Sequence, residues 1–134
     1  MARIIDIEGI GPVYKQKLKE VGVKTTEDLL WMGASPRGRE EMARDTGISE
    51  KLILEWVNLA DLIRIKGVGE EYSDLLEEAG VDTVKELRNR VPENLHKAII
   101  ATNEAKALVR RVPSLKQVKK WVAEAKTLPP MVTY

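Results

Sequence analysis

A chain of 134 residues, 43% hydrophobic and 32% charged, has the apolar content for a folded core and the length of one compact domain or two very small ones. It contains no cysteine, which excludes disulfides, thiolate metal sites and a cysteine nucleophile. The net charge of +1 conceals an uneven distribution: residues 66–86 carry seven acidic side chains against two basic ones, and residues 106–126 carry seven basic against one acidic.

In chain order, residues 1–6 meet an acid too early for a signal peptide, and no apolar run nears the ~20 residues of a membrane span, so a cytoplasmic protein is expected. Ile7-Glu8-Gly9-Ile10-Gly11 follows, a turn in which the glycines allow unusual backbone angles or close backbone approach. A helix with Tyr14, Leu18 and Val21 on one side comes next, capped by Gly22. Thr25-Thr26-Glu27-Asp28 is a capping box opening a short helix through Leu29 and Leu30. Ser35-Pro36 starts another helix and Gly47 stops it. Ser49 opens a longer one whose stripe of Leu52, Ile53, Trp56, Leu59, Ala60 and Ile63 is expected to be buried.

The scheme then repeats. Ile65-Lys66-Gly67-Val68-Gly69 matches the first turn at an offset of 58, and the same offset pairs Tyr14 with Tyr72, Leu18 with Leu76, Gly22 with Gly80, Thr25 with Thr83 and Leu29 with Leu87. Trp56-Val57 returns as Trp121-Val122 at an offset of 65. Pro92 starts a helix expected to run to about residue 111, Pro113 breaks it, and Ser114-Leu115-Lys116-Gln117 is a further capping box. The last helix buries Leu115, Val118, Val122 and Ala125 and ends before Pro129-Pro130. No stretch alternates with period two, so no sheet is expected.

The pattern hydrophobic-x-Gly-hydrophobic-Gly, a helix, then Gly-Val-x-Thr-x-x-acid-Leu resembles the helix-hairpin-helix superfamily. More closely, it resembles small prokaryotic proteins of two such units described only as a domain of unknown function. The resemblance implies an all-α, SAM-like fold of two tandem helix-hairpin-helix repeats, residues 1–64 and 65–134, packed as one unit in a pseudo-twofold arrangement. The first hairpin has too few residues before it for a helix of its own. The last helix, residues 114–128, is therefore expected to pack against Gly9–Gly11. The resemblance also implies that hairpin amides hold a nucleic-acid phosphate, at Gly9, Ile10 and Gly11 with Lys15 nearby, and at Gly67, Val68 and Gly69 with Lys66 nearby. A helix N-terminus suits an anion because its free N–H groups and the positive end of its dipole converge there. Glu70 and Glu71 oppose a phosphate at the second hairpin, whereas Lys15, Lys17, Lys19 and Lys24 follow the first.

Other candidates follow from charge and periodicity. Lys116, Lys119 and Lys120 share one face of the last helix and form a second phosphate-tracking candidate, to which Arg37 and Arg39 could add. Trp56 and Trp121 fall in apolar stripes and read as core, while Trp31 reads as a surface aromatic. His96 stands alone, suiting a solvated or capping role, and no constellation of catalytic side chains is discernible. The expectation is a non-catalytic, sequence-independent nucleic-acid-binding module, with duplex DNA favoured and no cofactor, metal, membrane or small-molecule substrate. The alternative is a protein-interaction or scaffolding module whose hairpins no longer contact DNA.

Overall fold

The computed structural model describes residues 3–134; Met1 and Ala2, part of the opening stretch read above, lie outside the described residues. The described chain is all-helical and has no strand. A single 3-10 turn, Ile4–Asp6, precedes α1 (Pro12–Glu20), α2 (Thr26–Gly33), α3 (Pro36–Thr46) and α4 (Glu50–Ile63). Then come α5 (Glu70–Glu78), α6 (Val84–Leu87), α7 (Pro92–Lys106) and α8 (Leu115–Ala125). No helix among the described residues is long and apolar enough to cross a membrane.

The punctuation read from the sequence sets the backbone. Gly22 and Gly80 take φ of +87° and +99°, and each ends its helix with the same pair of hydrogen bonds. Val23 N–H reaches Leu18 O and Val81 N–H reaches Leu76 O, both at 2.9 Å, while each glycine N–H bonds the carbonyl three residues back. Thr25, Ser35, Ser49, Thr83 and Ser114 each accept a backbone N–H three residues on, as N-caps do. The cap at Thr83 is not the full reciprocal box expected: the Glu86 carboxylate takes Asp82 N–H at 3.0 Å instead.

Two apolar clusters form, one per half. Ile4, Ile7, Leu18, Val23, Leu29 and Met42 pack with α4 residues from Ile53 to Ala60. Leu62 begins the second cluster, which gathers Leu75, Leu76, Val81, Leu95, Ile99, Val118 and Val122. Helix α4 therefore serves both halves. It lies on α2 and α3 along most of its length, and also against α5. Beside Leu62, the Asp61 side chain is only 1% exposed, and its carboxylate accepts Val84 N–H at 2.8 Å from the start of α6. Its other oxygen binds Arg64 at 2.6 Å, and Arg64 also donates to Pro129 O at 3.0 Å.

Two expectations are corrected. The last helix does not pack against the first hairpin; it lies on α6 and α7 in the second half. Trp121 packs against Tyr72 with ring centroids 5.4 Å apart, just as Trp56 meets Tyr14 at 5.0 Å. Each turn is thus closed by the tryptophan helix that ends its own half, so the first half lacks nothing that α8 must supply. Helix α7 stops at Lys106 rather than near residue 111, because Ala107 adopts φ +50° and the Asn103 amide bonds both Val109 N–H and Val109 O. What reaches the first half from the far end is the tail: Val132 joins the first core, and Thr133 N–H bonds Ala34 O at 2.8 Å.

Candidate nucleic-acid interface

In the first turn, Ile10 N–H bonds Ile7 O at 3.1 Å, a reversal that requires Gly9 at φ +93°. Ile10 is buried and pins the turn to the core, and a Cβ on Gly9 would stand 3.2 Å from the Trp56 indole nitrogen. Gly11 precedes α1 in an extended conformation, φ −93° and ψ −173°, and no side chain caps the helix. Pro12 has no N–H, so the donors left at this terminus are those of Val13 and Tyr14. Lys15, Lys19 and Lys24 line one cleft of about 180 Å³ with Ile4 and Val23. All three lysines are exposed, and none enters an ion pair within 4 Å among the described residues.

The second turn copies this backbone and reverses its charge. Gly67 sits at φ +88°, Val68 is buried, and Gly69 precedes α5 without a side-chain cap. Glu70 and Glu71 occupy the first helical turn, and the Glu124 carboxylate reaches from α8 to accept Lys66 N–H at 3.2 Å. Burial raises the Glu70 carboxyl above its ordinary range, and Glu8 and Asp6 of the first turn push it the same way. The two turns therefore share an anionic neighbourhood that the sequence ranking did not include.

The basic residues of the sequence reading do not form one site. Lys116, Lys119 and Lys120 are exposed on α8, which belongs to the second half, so they do not extend the lysine cleft of α1. Arg39 is not a surface cation: it is 6% exposed and donates to the carbonyls of Gly33, Ala34 and Thr133 at 2.8, 3.0 and 2.6 Å. Arg37 is exposed and pairs with Glu41. His96 is half-buried, with Nε2 3.0 Å from Pro113 O.

Two features escaped the sequence reading. One is an acidic face on α5, where burial raises Glu77 to about 7, reinforced by Glu55, Asp74, Glu78 and Asp82. Asp74 and Asp82 are also raised, chiefly by burial. The clustering of acids in residues 66–86 was visible, but Glu55 joins it only through the packing of α4 on α5. The other is an open groove of about 940 Å³ along α2, bounded by Trp31 and Met32 on one side and by Ile63, Lys66 and Gly67 on the other. Trp31, 79% exposed, stands at its rim as expected, and Trp56 and Trp121 are buried.

No curated protein and no solved structure matches this chain. One family model does, over residues 8–128, a span that takes in both glycine turns, both tryptophan helices and the lysine cleft's α1 and Lys24. The chain belongs to the family described as Domain of unknown function (DUF4332).

Proposed function

We propose that this protein is a non-catalytic, sequence-independent nucleic-acid-binding module whose principal phosphate contact is the first glycine turn. One observation carries the reading: three unpaired lysines, Lys15, Lys19 and Lys24, converge on a cleft whose α1 lysines follow a helix N-terminus with no side-chain cap. Amides and a helix dipole hold a phosphate without reading the base attached to it, and flanking lysines add charge but no sequence information. The helix-hairpin-helix resemblance supports the same assignment. The exposed Lys116, Lys119 and Lys120 form a separate, secondary backbone contact. The second turn contributes little because Glu70, Glu71 and Glu124 surround it with negative charge.

Binding to duplex DNA should be weak and fall steeply with salt. Four neutralised phosphates give a log–log slope of about −3.6, from roughly −0.9 per phosphate. Lys15→Glu with Lys19→Glu should weaken binding and flatten that slope, measured by anisotropy of a labelled duplex at several salt concentrations. A second reading, a protein-interaction module, is favoured by the acidic face of α5. It gains if the folded protein binds neither duplex nor single strand at low salt.

A further inference from the structure

The groove along α2 has features that the phosphate contact does not use. It begins at Thr26, two residues beyond Lys24 of the lysine cleft, and runs past Glu27 and Leu30 to Trp31. Its opposite wall ends in Lys66, whose side chain makes no ion pair among the described residues. Asp28 has its carboxylate engaged by the N–H groups of Lys24 and Thr25, at 3.0 and 3.2 Å. Glu27, one residue earlier and exposed, has no such bond and leaves an acceptor at the groove. Trp31 is the most exposed large apolar side chain, and exposing an indole costs free energy unless something covers it.

We propose that this groove binds an unpaired nucleobase carrying an exocyclic amino group, stacked on Trp31 with that amine donating to Glu27 and the strand's phosphate facing Lys66. The inference rests on the nucleic-acid reading above and adds a substrate class to it: single-stranded segments rather than duplex alone. The occupant follows from the chemistry of the walls. An aromatic platform accepts the face of any base. A carboxylate rewards a base that donates, as cytosine and adenine do through their amino groups in place of a carbonyl. A lysine on the far wall suits the backbone. The groove's continuity with Lys24 lets one strand run from the lysine cleft along α2. Its volume lies within the ~300–1,000 Å³ of small-ligand sites.

The test is a titration of the whole protein with short oligo(dC) and oligo(dT) of equal length, read by tryptophan fluorescence and by anisotropy of the labelled strand. Trp56 and Trp121 are buried, so a change in emission reports on Trp31. Oligo(dC) should quench emission and bind several-fold more tightly than oligo(dT). Trp31→Ala should weaken oligo(dC) binding about five-fold to a hundred-fold, the range for one base–aromatic stack. Glu27→Gln should reduce the preference for oligo(dC) over oligo(dT). Equal oligo(dC) affinity in wild type and Trp31→Ala, or absence of quenching, overturns the proposal and leaves the groove to another occupant such as a peptide. If duplex still binds with its salt dependence in that case, only the groove assignment falls; if neither duplex nor single strand binds, both readings fall.

Discussion

At the scale of single residues, glycines that look alike in sequence do different work. Gly9 at φ +93° faces the Trp56 indole, whereas Gly11 is extended and has nothing within 4 Å of where a Cβ would stand. Gly9→Ala should therefore destabilise the fold by about 1–2 kcal/mol, from a left-handed backbone plus crowding, and Gly11→Ala should be close to neutral; urea unfolding of both variants checks this. Gly11→Asp goes further, because aspartate is a good N-cap in an extended conformation: stability should hold or rise by up to ~1 kcal/mol. Glu77 adds a pH dependence. Its carboxyl is raised from an ordinary 4.5 to about 7, first by burial and then by Glu55, Asp74, Glu78 and Asp82. A raised acid binds more protons folded than unfolded, so its contribution is present below pH 4.5 and is lost as pH rises through 7. Allowing for its partial exposure, the loss should be on the order of 1 kcal/mol. Glu77→Gln should flatten the melting temperature between pH 5 and 8 and raise it at pH 8.

At the scale of elements, the joint between the halves rests on Asp61. Its carboxylate is shared by Arg64 and the first amide of α6, deep enough that its removal leaves both without a partner. Asp61→Ala should cost about 3 kcal/mol or more by denaturant unfolding, the usual penalty for breaking a buried pair from one side. The tail is a second joint. Removing residues 130–134 withdraws Val132 from the first core and one of the three carbonyls that hold Arg39. Hydrogen exchange should then quicken in α2 and α3 while α7 and α8 keep their protection. Equal quickening in both halves would contradict this account of the tail. The placement of α8 and the end of α7 were the elements misjudged from sequence. Caps and glycine stops are local, so they were legible; which half a helix closes depends on the Trp121–Tyr72 contact and on Glu124, which couple residues far apart in the chain.

At the scale of the whole molecule, the pairing of like turns in opposite electrostatic settings gives the protein its asymmetry. The matched turns, helix stops and tryptophan stripes were readable because each is set by a few residues at fixed spacing. The candidate site was readable only in part. Gly9–Gly11 with Lys15 stands where the motif put it, but Lys19 and Lys24 join Lys15 through the fold-back at Gly22, and Glu8 approaches Glu70 only in three dimensions. Arg39 shows the converse: a cation placed on the surface by composition is consumed inside by backbone carbonyls. The measurement that bears most directly on the central claim is duplex binding by Gly11→Asp beside the wild type, at two salt concentrations, with both proteins shown to be folded by circular dichroism and urea unfolding. The account predicts a salt-dependent wild-type affinity and a variant that folds at least as well yet binds several-fold more weakly, because its carboxylate occupies the amides meant for phosphate. A folded Gly11→Asp protein that binds duplex as tightly as the wild type would contradict it.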